Sequence, residues 1–459
     1  FFFTVDPNVS NEITWVRYFG DRRVLSQYNY YDWGKVGEDF PYYFAFLTKF
    51  VLSFIGYSVE KAHIFLLIFS IGSFFIIIKI CDLIVKDINF KILVLTLIAT
   101  NIFLIREPNA LRPHALSIFF TLLSLYYFIL IYLKNKASYK NIILFSITTL
   151  FFMTIWPLNL AFFGGQCCFL IKIYFDKKIK NLKVLIIPVL IIILSYLILN
   201  YNYLEYQVIN KSQHYTTLQA RFFYTYFFNT FFGSIVFGGF MLLIFSYFFI
   251  KEILETLKIS KYKINLFIKN LENESVFLII ILTIYILITL YSLLKAPVMA
   301  PKYISFLVPI IIIWISYKIY QTNKKLTYYF IICFSLINVT LYWNNIQIER
   351  PPTKKILKII SESKNKQVYT TESQVFNHYL THHRISLKKK INFDMFDEYQ
   401  FNSLPNEFWF LCLNNPRFAI GNNNNPDEKK CFKFQKNTNF YLIKTIKLPD
   451  YLLHYIAKK

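Results

Sequence analysis

Arg106, Glu107, Arg112 and His114 crowd into LIREPNALRPHALSI, residues 104–118, between two long apolar runs. A second turn of the same kind, LLKAPVMAPKYISF, carries Lys295, Lys302 and Tyr303 around Pro297 and Pro301. A planar guanidinium fork matches phosphate oxygens, and its bonds are stronger in a partly dry turn than in water. The complementary groups are carboxylates: Asp6 and Glu12 near the start of the chain, and Asp32, Glu38 and Asp39 in YYDWGKVGEDFPYY. A carboxylate at the mouth of a dry pocket can take the proton of an attacking hydroxyl as general base. Such acids could also hold a divalent cation, and no other cofactor is indicated. Blander roles fit the same groups. DPNVSNE reads as a helix N-cap with proline in the first turn, and arginine or lysine at an interface can snorkel to ordinary lipid headgroups.

A membrane bundle must position these residues. The chain has 459 residues, 56% of them hydrophobic and 20% aromatic, with a mean hydropathy of +0.41. One soluble core of this length does not need so much apolar material. Apolar runs of about 15 to 20 residues recur from Ala62 to Trp343, as expected for helices crossing a hydrocarbon core roughly 30 Å thick, and they do not alternate as barrel strands would. Spans are expected near 62–80, 91–105, 115–133, 141–156, 158–175, 184–200, 233–250, 275–294, 303–320 and 326–343. Phe1–Val5 read as the outer end of a further, first helix, with the remnant of a cleaved signal peptide as the alternative. The expected fold is thus an all-α polytopic bundle of about eleven spans. The formal charge of +24 accompanies an abundance of Ile, Asn, Tyr, Phe and Lys that looks like coding bias, so no nucleic-acid partner is read from it.

Charge sets the orientation. Lys134, Lys136 and Lys140 share one connector, Lys177, Lys178, Lys180 and Lys183 another, and Lys324 and Lys325 a third. The alternate turns carry only Arg106 and Arg112, Lys211 and Arg221, or Lys295 and Lys302. The positive-inside rule puts the first group in the cytoplasm, and hence residues 104–118, the loop 6–61 and everything after Trp343 outside. A charge at mid-bilayer costs roughly 3 kcal/mol, so Arg106, Arg112 and His114 are expected to line a wet, outward-opening pocket at headgroup height. No Gly-rich phosphate loop, HExxH or CxxC pair occurs, and no span carries a chain of buried acids and bases. Asn159, Gln166, Asn200 and Asn338 are expected to hydrogen-bond structurally.

Residues 344–459 form a second domain, small, α/β and extracytoplasmic, after the bundle of 1–343. TKKILKIISES reads as an amphipathic helix, KQVYTT as a strand, ESQVFNHYLTHH as a helix, and EFWFLCL and NFYLIKTIKL as strands. Cys412 and Cys431 are its two cysteines, either bridged, as an outward compartment permits, or free in a small core.

An acid at the end of a first helix, a long outward first loop, DFPYYFAFLTKFVLSFIG, the RPHAL element at 112–116, PKYISFLVPIII and a soluble outward tail resemble, in that order, the GT-C glycosyltransferases. The bacterial branch related to protein O-mannosyltransferases, aminoarabinose transferases and Rgt-type lipopolysaccharide core transferases is the nearest pattern. The resemblance implies an enzyme of the inner, or plasma, membrane whose site faces the periplasm. Such an enzyme moves a single sugar, with inversion, from a polyprenyl-phosphate donor to a hydroxyl of a glycan, lipid or protein acceptor. By the same resemblance Asp6 is the base, with Glu12 six positions on; Asp39 helps orient the sugar. Arg112 and Lys302, with Arg106, His114 and Tyr303, hold the donor phosphate. Pro7 stands where the family often has a second acid, which puts a metal in doubt. His114 replaces an aromatic, and Lys302 with Tyr303 replaces an Arg-Tyr pair. The competing expectations are a lipid-linked sugar flippase or transporter, an oligosaccharyltransferase-like enzyme, and a scaffold without catalysis.

Overall fold

The computed structural model describes residues 42–55, 59–106, 113–155, 157–175, 182–200, 227–261, 263–294, 301–346, 353–363, 367–370, 391–395, 404–413, 439–448 and 451–459. Asp6, Glu12, Asp39, Arg112, Cys431 and the expected helix at 372–383 lie outside them. The chain divides into two compact units between Tyr342 and Trp343.

The larger unit is helical. Its helices are α1 Tyr42–Ile55, α2 Val59–Ile84, α3 Ile88–Thr100, α4 Ile102–Arg106, α5 His114–Phe128, α6 Tyr139–Ile155, α7 Leu160–Phe175, α8 Leu182–Leu199, α9 Phe227–Phe232, α10 Ile235–Ile259, α11 Ile264–Asn270, α12 Ser275–Leu294, α13 Leu307–Thr322 and α14 Lys324–Ile346. A π turn, Ile129–Leu133, extends α5, and single 3-10 turns lie at Pro157–Asn159 and Pro301–Ile304. The ten expected spans from 62 to 343 fall on helical segments, that of 91–105 on two, and Phe1–Val5 lie outside the described residues; the expected count of eleven crossings is not met. Among the described residues four helices are long and apolar enough to cross a membrane: Ile64–Ile84, His114–Leu133, Ile235–Ile259 and Ser275–Leu294. Five others, Ile88–Thr100, Tyr139–Ile155, Leu160–Phe175, Ile186–Leu199 and Leu307–Thr322, are apolar but shorter. At 1.5 Å per residue the 13 residues of α3 rise only about 20 Å, well under the core thickness.

Specific residues set the helix boundaries. Asp87 caps α3 by accepting a bond from Asn89 N at 2.8 Å, and Ser234 caps α10 by accepting one from Phe237 N at 3.1 Å. Gly233 has φ +80°, a left-handed conformation that glycine adopts without penalty, and it lets α9 turn into α10. α7 packs closely on α12 through Gly164 and Gly165, which lie against Leu287 and Ile280. Buried serine, threonine and amide groups tie α5, α6 and α7 together: Ser124 and Thr149 hydroxyls lie 2.8 Å apart, and Gln166 Nε2 donates to Ser124 Oγ at 3.1 Å. Asn200 and Asn338 donate to carbonyls one turn back, those of Tyr196 and Phe334.

The C-terminal unit is a five-stranded sheet of order β2-β1-β3-β5-β4, with α15 Thr353–Glu362 before it in the chain. The strands are β1 Gln367–Thr370, β2 Asn392–Met395, β3 Glu407–Leu413, β4 Phe440–Leu448 and β5 Tyr451–Lys458. β1 runs parallel to β2 and β3, and β5 runs antiparallel to β3 and β4. β3 is apolar at nearly every position because both of its faces are covered. Trp409 and Leu411 join Ile356, Leu357 and Ile360 of α15 in one core; Phe408, Phe410 and Cys412 join Leu452 and Ile456 in the other. β4 is exposed along most of its length and carries Lys444 and Lys447, a charged edge that discourages pairing with another chain. Cys412 is disulfide-bonded, whereas Cys81, Cys167, Cys168 and Cys333 are free.

His454 is buried in β5. Its Nδ1 is 2.9 Å from Thr445 Oγ1, its ring stacks on Phe410, and burial holds its pKa below the ordinary 6.5. The fold therefore holds it neutral, and its contribution to stability is complete above pH 6.5 and declines as pH falls from there toward the depressed folded value. The melting temperature should fall between pH 7 and pH 5 more steeply in the native protein than in His454→Gln; equal slopes would show that His454 does not govern the decline.

Candidate functional site

Asn101 interrupts the apolar run that was read as one span. It is fully buried, its Nδ2 donates to Phe231 O at 2.9 Å, and its Oδ1 accepts from Leu104 N at 2.9 Å, so it ends α3 and starts α4 at once. Phe103 of α4 packs on Phe231 of α9, and α9 in turn meets the Pro301–Ile304 turn that contains Lys302 and Tyr303. Arg106 is the last residue of α4, and the chain re-enters the bundle through Pro113, with His114 as the first residue of α5. His114 is 3% exposed, and Tyr303 is half-buried.

The two 3-10 turns meet at the same end of the bundle. Ser117, one turn into α5, donates to Asn159 Oδ1 at 2.9 Å; Asn159 Nδ2 donates to Phe152 O at 2.5 Å. Phe162 and Phe306 rings lie 6.1 Å apart beside them. Ser305, directly after the second turn, is buried, and its hydroxyl has no hydrogen-bond partner among the described residues. The structure thus brings the end of α4, the start of α5, α9 and both 3-10 turns to one end. Of the expected site residues, Arg106, His114, Lys302 and Tyr303 stand on these elements. Asp6, Glu12, Asp39 and Arg112 lie outside the described residues. Among the described residues no group of His, Cys, Asp or Glu is placed to hold a metal.

The opposite, Lys-rich end carries charges that sequence reading missed. Glu252 of α10 is 6% exposed; it accepts a bond from Ser275 Oγ, and Lys318 Nζ of α13 lies 3.1 Å from its Oε2. Lys318 also donates to Glu272 Oε2 at 3.0 Å. Glu252 lies two residues past the expected span end at 250, because α10 continues to Ile259, whereas Lys318 falls inside the expected span 303–320; the two form one buried pair at this end of the bundle. Nearby, Asp87 accepts bonds from Tyr320 OH and Asn89 N and pairs with Lys324 at 3.4 Å. The Tyr320 bond above all, then the Asn89 bond, holds its carboxyl below the usual range.

These features define a helical membrane protein with a small C-terminal sheet unit. Compared with models of known families and with curated proteins, the chain finds no match.

Proposed function

We propose that this protein is an integral-membrane glycosyltransferase of GT-C type. In this reading it moves a single sugar from a polyprenyl-phosphate donor to a hydroxyl of a glycan, lipid or protein acceptor, with inversion. The observation that carries the reading is the gathering of Arg106, His114 and the Lys302–Tyr303 turn at the end of the bundle remote from the Lys-rich connectors. The short α3 and the break at Asn101 support it, since they favour a turn below headgroup level. In the full proposal the five shorter apolar helices and α14 also cross the membrane, giving about eleven spans with the first. The active site and the C-terminal unit face the periplasm.

Asp6 takes the proton of the acceptor hydroxyl as its oxygen attacks the anomeric carbon. The bond from that carbon to the phosphate oxygen breaks, and Arg112 and Lys302, with Arg106, neutralise the departing lipid phosphate. Charge that grows on a leaving group is where placed donors contribute most, about 3 kcal/mol each. His114 and Tyr303 hydrogen-bond the donor, while Glu12 and Asp39 fix the sugar.

The test has two arms. Arg112→Ala should weaken binding of polyprenyl phosphate about tenfold, and unchanged affinity would return Arg112 to interfacial snorkelling. Asp6→Asn should retain that binding but lose at least about a hundredfold in transfer rate. Full transfer activity in Asp6→Asn would remove the base from the mechanism.

A further inference from the structure

Between α10 and α14 the bundle leaves an open-sided groove of about 500 Å³, floored by Ile319 of α13. Phe240, Leu243 and Tyr247 form one wall, Tyr329 and Cys333 the other, and the lining is almost wholly apolar. These side chains are open to the surroundings: Leu243 is 70% and Tyr329 68% exposed. From Phe237 to Phe248 the α10 wall rises roughly 16 Å, about half the hydrocarbon thickness and hence the depth of one leaflet.

Both walls continue into lysine at the same end. Lys251 follows Tyr247 by four residues and Phe248 by three, so it lies on the groove face of α10 one turn beyond the lining. Lys325 precedes Tyr329 by four, so it occupies the same place on α14, and it is exposed. Lys251 has Glu255 at 3.9 Å, an exposed pair of little strength. At the other end of the α14 wall, Ile337 is followed by Asn338, Val339, Thr340, Leu341, Tyr342 and Trp343, with no charged residue.

An apolar slot one leaflet deep, with cations only at its Lys-rich mouth, is complementary to one class of molecule. We propose that it holds an acyl chain of an anionic phospholipid from the leaflet at the Lys-rich end, with the phosphate between Lys251 and Lys325. The inference does not rest on the glycosyltransferase reading, whose donor site lies at the other end.

The full chain, purified in detergent, should be titrated with phosphatidylglycerol, with phosphatidylcholine of the same acyl chains, and with polyprenyl phosphate, and bound lipid counted by native mass spectrometry. Phosphatidylglycerol should bind at least about tenfold more tightly than phosphatidylcholine, because each lysine near an anionic headgroup contributes roughly fivefold. Lys251→Gln and Lys325→Gln should each remove about that factor for phosphatidylglycerol alone, while Lys140→Gln on a distant connector changes nothing. Cys333→Trp or Leu243→Trp, which fill the groove from opposite walls at exposed positions, should reduce binding of both phospholipids. Equal affinity for the two phospholipids overturns the proposal, as does indifference to both tryptophans. It also fails if polyprenyl phosphate binds in a Lys251- and Lys325-dependent manner more tightly than phosphatidylglycerol.

Discussion

Lys318→Met is expected to destabilise the helical unit by about 3–5 kcal/mol, the cost of leaving a buried charge without its counter-charge. Glu252 is the charge left behind. Its carboxylate is nearly sealed from solvent, and Ser275 satisfies only one of its oxygens. Glu272 also touches Lys318, but its side chain is 51% exposed and water can replace the lysine there. Glu272→Gln should therefore cost less than about 1 kcal/mol. The double change Glu252→Gln with Lys318→Met should recover most of the loss, since a neutral amide beside an apolar chain carries no unpaired charge. Thermal unfolding of the detergent-purified variants measures all three. If Lys318→Met and Glu272→Gln prove equally mild, water reaches Glu252 and the pair is not a buried one.

That cluster also shows how far hydropathy alone can be read. Windows of apolar residues found the helices because the signal is local. They misplaced the ends, because KEILETLK after residue 250 is polar yet made of good helix formers, and α10 continues through it to Ile259. Asn101 escaped notice for the opposite reason. One amide inside an apolar run reads as tolerable, and only its bond to Phe231, 130 positions away, turns it into a break.

In the C-terminal unit, β1, β3 and β4 were legible from β-branched and aromatic runs, whereas β2 was not. Its four residues NFDM have no pattern of their own and become a strand only by parallel pairing with β1. β5 was overlooked although it is largely buried, because YLLHYIAK lacks the alternation of a half-exposed strand. The candidate site was legible as residue types in turns. Their convergence was not, because it depends on how α9 and the two 3-10 turns pack, and neither 3-10 turn has a periodic signature.

Gly165→Ala is expected to cost about 3 kcal/mol, the upper end of the overpacking range, although it adds one carbon. A Cβ at this position would sit 2.8 Å from the Cα of Ile280, and a backbone atom cannot move aside without shifting α12 as a whole. Helices in lipid associate largely through such close contact, because hydrocarbon surroundings give no hydrophobic drive, so the α7–α12 interface has no ready substitute. Gly164 supplies the control. Its added Cβ would meet Leu287 Cδ1 at 2.9 Å, the far end of a side chain that can rotate, and Gly164→Ala should cost under about 1 kcal/mol. The two neighbouring substitutions are chemically identical and differ in whether the obstacle is backbone or side chain. Resistance to SDS-induced unfolding, compared for both, tests this directly. Equal losses would mean that α7 and α12 can slide apart, and that the interface is held by the side chains around the glycines instead.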